Sequence, residues 1–155
     1  MVTLVKISKP ELLESVAISY EGDNDLFLKY HIAPMDFMNC VMATMGMILD
    51  TAKEKELRYY TVIYKKKKIG YVVEFDDFLY SYGINIKFRK KDILIAWWRE
   101  VSRVMGGKFM TMLYLNNTRC ITHLRKQGFE IFQEDKLNNC VTLIYNSSHN
   151  KLKIA

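Results

Sequence analysis

The stretch Ile84-Asn85-Ile86-Lys87-Phe88-Arg89-Lys90-Lys91-Asp92-Ile93-Leu94 joins two kinds of periodicity. Upstream, Tyr80, Tyr82, Ile84, Ile86 and Phe88 alternate with small or polar residues, the period of a strand. Downstream, Ile93, Leu94, Trp97, Val101, Val104 and Met105 recur on one side of a helix. Arg89, Lys90 and Lys91 form a basic knot between the two. Gly106 and Gly107 stop the helix, residues 108–115 predict a second strand, Asn116, Asn117 and Thr118 a turn, and residues 121–127 a short helix before Gly128 and Phe129. Strand, helix, strand and helix of this size form a βαβα unit with parallel strands. Ligands in such units sit beyond the C-terminal ends of the strands, at a helix N-terminus. The expected site therefore lies between residues 84 and 129.

Working outward, residues 3–7 read as a first strand. Ser8, Lys9, Pro10 and Glu11 read as a capping box opening a helix whose buried face is Leu12, Leu13, Val16 and Ala17. Gly22 to Asp25 ends it. Pro34 is expected to open a second helix, with Met38, Val41, Met42, Met45 and Leu49 as its core-filling stripe. Residues 58–64 and 69–75 alternate with period two around Lys65, Lys66, Lys67 and Lys68, which predicts a hairpin with a lysine turn. Asp76 and Asp77 lead into the central strand. Residues 131–133 and 140–145 form a closing hairpin around Asn138 and Asn139. The domain is expected to span residues 1–145, with residues 146–155 a polar tail.

At 155 residues, half of them hydrophobic, the chain is expected to be one domain that buries roughly 70% of its unfolded surface. No apolar run reaches the ~20 residues of a membrane span, and the first residues read as a strand and not as a signal peptide. The expected setting is cytoplasmic. The 3 cysteines, Cys40, Cys120 and Cys140, lack paired spacing and read as free thiols. His31, His123 and His149 have no metal-ligand spacing with them. The formal net charge of +6 comes largely from Lys65 to Lys68, Arg89 to Lys91, and Lys151 with Lys153. It permits an acidic partner or nucleic acid without demanding either.

The order of elements, and the run Asn117-Thr118-Arg119-Cys120-Ile121-Thr122-His123-Leu124-Arg125-Lys126-Gln127-Gly128-Phe129, resemble the GNAT superfamily of acetyltransferases. Asn117, Ile121, Gly128 and Phe129 fall on positions of that family's last helix, and Cys120 takes the place of its alanine. The resemblance covers residues 57–145. It implies an α/β (α+β) single domain with a mixed, mostly antiparallel sheet and a central parallel strand pair flanked by helices. It also implies acetyl-CoA as cofactor if the chain is catalytic. The degenerate cofactor loop and helix are then Arg89, Lys90, Lys91, Asp92, Ile93 and Asn117.

Three working features of the family are altered. Asp92 and Leu94 stand where glycines would let the backbone approach a diphosphate, and two unit charges ~4 Å apart repel by roughly 4 kcal/mol at an effective dielectric of about 20. Asp92 is also expected to cap its helix. Leu124 replaces the tyrosine that the family uses as general acid. Phe78 to Phe88 contains no carboxylate for a general base, so Glu74, Asp76 and His123 are the weak catalytic candidates. No metal site and no cofactor are expected, and acetyl-CoA is expected to bind no tighter than millimolar. The altered pattern also resembles GNAT-like virion proteins of tailed bacteriophages, through Asn117, Thr118, Ile121, Leu124 and Gly128. The leading expectation is a non-catalytic interaction or assembly protein, plausibly virion-associated, with a protein partner. The alternative is an acetyl-CoA-dependent N-acetyltransferase. The third reading is a basic nucleic-acid-binding module using Lys65 to Lys68 and Arg89 to Lys91.

Overall fold

The computed structural model describes residues 1–23 and 36–148. The elements run β1 Val2–Ile7, α1 Leu12–Tyr20, α2 Phe37–Thr51, β2 Arg58–Tyr64, β3 Lys67–Phe75, β4 Phe78–Ile84, α3 Lys91–Val104, β5 Lys108–Tyr114, α4 Thr118–Lys126, β6 Glu130–Asp135 and β7 Cys140–Asn146. The described strands form a 7-stranded sheet in the order β1-β2-β3-β4-β5-β7-β6. Every pairing is antiparallel except β4 with β5. The mixed sheet with a central parallel pair is therefore as the sequence predicts. Expectations that rest on Asn24, Asp25, His31, Pro34, His149, Lys151 and Lys153 lie outside the described residues.

Two cores sandwich the sheet. On one face Ile93, Trp97, Trp98 and Val101 of α3 and Leu124 of α4 pack on Leu79, Ile84, Phe109, Val141, Leu143 and Tyr145. On the other, Leu12 and Val16 of α1 and Val41, Met45 and Ile48 of α2 pack on Tyr71 and Val73. Each fully buried large side chain contributes about 1.5–3 kcal/mol, so this two-sided burial is what fixes the layers.

Local chemistry departs from expectation in several places, and Leu13 of the expected buried face of α1 is exposed. Ser8 donates to the Glu11 carboxylate (2.8 Å) instead of capping, and Lys9–Glu11 is a short 3-10 turn leading into α1. Asp36 caps α2, its side chain accepting from the Asn39 N–H (2.8 Å). In α2 the buried face is Cys40, Val41, Thr44, Met45 and Ile48, while Met38, Met42 and Leu49 of the expected core stripe are exposed. The lysine turn is shorter than read: only Lys65 and Lys66 form it, both at positive φ (48° and 65°), and Lys67 and Lys68 belong to β3.

The feature that shapes the site is a bulge. Val73 pairs with Ser81 and Glu74 with Leu79, so Tyr80 is an extra residue in β4. It follows that Tyr80 and Tyr82 do not share a face as strict alternation would have them. Tyr80 packs with Phe75 among the α1 and α2 residues, and Tyr82 packs on Trp97 and Trp98. A bulge bends and twists its strand. The β4–β5 ladder accordingly lasts two pairs, Phe78 with Met110 and Leu79 with Thr111, before the strands part. Thr111 ends it by donating its hydroxyl to the Leu79 carbonyl (3.0 Å).

Candidate active site

Because β4 and β5 are parallel, α3 and α4 both begin at the same end of the sheet, on either side of the gap between the parted strands. The strand β4 stops at Ile84, and Ile86–Phe88 is a single 3-10 turn instead of a continued strand. Asn85 fastens this turn. Its amide donates to the Ile18 and Glu21 carbonyls at the end of α1 (2.8 and 3.1 Å), and its oxygen accepts from the Lys87 N–H (3.0 Å). Arg89 fastens it a second time, with Nε donating to the Ile84 carbonyl (2.8 Å) and Nη1 2.7 Å from Asp23 Oδ2. The Asp23 side chain is only 5% exposed, so Arg89 is a strut and not a free surface cation.

With the loop held this way, α3 starts at Lys91 with Lys90 as its N-cap residue, and among the described residues no side chain caps it. The expected Asp92 cap is not made; Asp92 lies in the first turn and is exposed, where its charge still favours the helix dipole. Leu94 is half-buried and packs toward the core, so it does not fill the space in front of the helix. Ile93 is buried in the same core. What faces solvent is an uncapped 14-residue helix start beside the exposed Lys87, Lys90 and Lys91. Cations disfavour that end by about 0.3–1 kcal/mol each, a penalty that a bound anion reverses.

On the other side of the gap, Asn117 caps α4 by accepting from the Cys120 N–H (3.3 Å). His123 is half-buried, and its Nε2 accepts from Trp98 Nε1 (3.1 Å), which places the ring proton on Nδ1. Burial, then the charge of Lys126, holds this imidazole below its ordinary value. Thr118, Arg119, Thr122, His123 and Lys126 line an open groove of about 350 Å³ along α4. Leu124 is fully buried in the core and presents no donor.

Glu74 and Asp76 lie elsewhere. Glu74 is 4% exposed, and its two oxygens accept from Arg58 Nε and Nη2 (2.7 and 2.6 Å) and from the Tyr60 hydroxyl (2.9 Å). Burial, with the Glu74 carboxylate second, pushes the Tyr60 phenol up to about 12. Asp76 and Asp77 form the β3–β4 turn at positive φ (45° and 59°). That turn is at the opposite end of β4 from α3, about 20 Å away at ~3.3 Å per residue. Neither carboxylate meets the cluster at the helix starts.

Tyr82 was missed by the sequence reading, where it counted as one more packing aromatic. Its side chain lies on the α3 face of the sheet against Trp97 and Trp98, and its buried hydroxyl has no hydrogen-bond partner among the described residues. Thr111 and Cys120 are its polar neighbours. The Thr111 hydroxyl draws the phenol down slightly, but the two make no hydrogen bond of good geometry. Burial dominates and holds the phenol well above its ordinary value, so it stays protonated. Burial likewise pushes the Cys120 thiol up to about 11, against a smaller downward pull from Arg89. Among the described residues there is no cluster of side chains that could hold a metal ion, and no helix is long and apolar enough to cross a membrane.

A mixed sheet with a bulged central strand, one parallel pair that parts after two residues, and helices on both faces is a GNAT-like fold. Solved structures agree. The aminoglycoside acetyltransferase AAC(6')-Ib in complex with coenzyme A superposes with a TM-score of 0.68 at 13% identity, covering 100% of both chains. The PaiA N-acetyltransferase from Thermoplasma acidophilum in complex with coenzyme A gives 0.64 at 12% identity, covering 94% of this chain and 99% of that one. The microcin C7 self-immunity acetyltransferase MccE, in complex with acetyl-CoA and AMP, gives 0.58 at 18% identity, over 93% and 90%. No family model and no curated protein matches the sequence.

Proposed function

We propose that the chain is an acetyl-CoA-dependent N-acetyltransferase, the alternative that the sequence reading ranked second. The observation that carries it is the uncapped start of α3, flanked by Lys87, Lys90 and Lys91 and opening onto the β4–β5 gap. Its first-turn N–H groups and three ammonium groups suit a diphosphate; Leu94 turns inward and leaves the helix start open, and the exposed Asp92 carboxylate is outnumbered there by Lys87, Lys90 and Lys91. The resemblance to acetyltransferases whose structures hold coenzyme A supports the same donor.

Bound acetyl-CoA would supply an activated thioester. The chain's own residues do the rest. Lys87, Lys90 and Lys91 hold the phosphates, and the α4 groove with Arg119 and Lys126 offers further cations. The backbone of β4 beyond Leu79, unpaired toward β5, offers strand-like hydrogen bonds to an extended arm. The Tyr82 hydroxyl, protonated and beside Thr111 and Cys120, takes the role of protonating the departing thiolate that Leu124 cannot fill, and it regains the proton that the amine nitrogen loses on acylation. Neither Glu74 nor Asp76 is placed to serve as base, so the acceptor amine must arrive unprotonated. Release of free thiol from acetyl-CoA in the presence of amine acceptors tests the reading. Absence of both binding and release would overturn it.

One observation favours a second reading, the assembly component with a phage virion as its setting. Leu124 is a fully packed core residue, which is what a fold kept as a scaffold would show. The two readings part on cofactor affinity.

A further inference from the structure

The two basic clusters that are 19 residues apart in sequence meet in space. The antiparallel register sets Gly70 opposite Ile84, which brings the β2–β3 hairpin tip to the end of β4 where α3 begins. The Tyr64 and Phe88 rings meet edge to face with centroids 6.0 Å apart, and Lys65 Nζ lies 5.3 Å from the Tyr64 ring centre. Lys67 stands opposite Tyr64 in the ladder. Lys65, Lys66, Lys67, Lys87, Lys90 and Lys91 are all exposed on this end. Together they equal the whole formal excess of +6. Lys68 is occupied by Glu14 (3.2 Å) and Arg89 by Asp23.

The turn itself argues that the charge is wanted. A two-residue hairpin turn with both φ values positive is best served by Asn-Gly, and a bulkier side chain there costs roughly 1 kcal/mol per residue. This chain places Lys65 and Lys66 at those positions. The available cations are lysines, which meet phosphates as point charges, and a cluster of them at one end of the sheet suits a polyanion whose condensed counterions are released on binding.

We infer that the hairpin tip and the start of α3 form one docking surface for the phosphate backbone of a nucleic acid. It does not rest on the acetyltransferase reading, but it shares Lys87, Lys90 and Lys91 with the proposed acetyl-CoA phosphate site, so the two ligands compete there. The test is fluorescence anisotropy with a labelled 20-nucleotide single-stranded RNA and a DNA duplex of the same sequence. With four phosphates contacted, affinity for the single strand falls about fifty-fold between 50 and 200 mM salt, following a slope of roughly −0.7 per contact. The variant Lys65→Asn with Lys66→Gly should melt no lower than the wild type, because it installs the favoured turn. Its salt effect should shrink to about sevenfold for two lost contacts, with acetyl-CoA titration unchanged. No binding of either nucleic acid at 50 mM salt, or equal binding by the variant, overturns the inference. Equal competition by polyglutamate also overturns it and assigns the surface to an acidic protein.

Discussion

Replacing Arg89 by glutamine separates support from ligand binding at the start of α3. On sequence alone, exchanging Arg89 and Lys91 for glutamate is expected to leave the fold intact. The structure gives Arg89 different work: it holds the Ile84 carbonyl at 2.8 Å and the Asp23 carboxylate at 2.7 Å, with Asp23 5% exposed. Breaking a buried ion pair costs about 3–5 kcal/mol by stranding the remaining charge. The Arg89 side chain is 32% exposed, so solvent screening reduces the figure to about 2 kcal/mol. In a domain of this size that lowers Tm by roughly 4–8 °C. Differential scanning calorimetry at pH 7 measures it, and Asp23→Asn in the same background should recover much of the loss. By contrast, Lys90→Gln with Lys91→Gln should leave Tm within ~0.5 kcal/mol equivalent, since both are exposed. An unchanged Tm in Arg89→Gln would refute the strut and return Arg89 to the ligand-facing set.

Two further outcomes follow from buried groups. Tyr82→Phe removes a hydroxyl that has no partner among the described residues while keeping the ring against Trp97 and Trp98. Tm should hold or rise, and the transfer rate should fall about 10²-fold with a flatter basic limb in its pH profile; an unchanged rate assigns proton donation elsewhere. His123 has a depressed pKa in the folded state, so the unfolded chain binds its proton more readily. Its contribution is therefore fully present above about pH 6.5 and lost as pH falls through the folded value. His123→Gln should make Tm less sensitive to acidification from pH 7.5 to 5, and an equal slope in both proteins would show that His123 does not titrate in this way.

The periodicities made the central unit legible. Alternation before Asn85 and helical spacing after Lys91 place β4 and α3 within a few residues, and Gly106 with Gly107 marks the stop. The bulge at Tyr80 was not legible, because an extra residue leaves no signature when tyrosines stand at both 80 and 82. The roles of Arg89 and Asp92 were misjudged for a related reason. Motif position says which residue is present, but the capture of Arg89 by Asp23, 66 positions earlier, depends on how α1 meets the end of β4. Without that capture the loop would rest on Asn85 alone. With it, Lys90 becomes the uncapped N-cap and the helix start stays open. Glu74 illustrates the same limit, since nothing in its neighbourhood along the chain announces the Arg58 fork that occupies it.

This helix start, without its glycines, is expected still to bind acetyl-CoA. Isothermal titration calorimetry of the purified chain with acetyl-CoA at 0.1 M salt tests it directly. The expected Kd is micromolar, a binding free energy of about −8 kcal/mol, weakened about tenfold by Lys90→Gln with Lys91→Gln. Binding no tighter than millimolar, or an affinity indifferent to those two lysines, would contradict it.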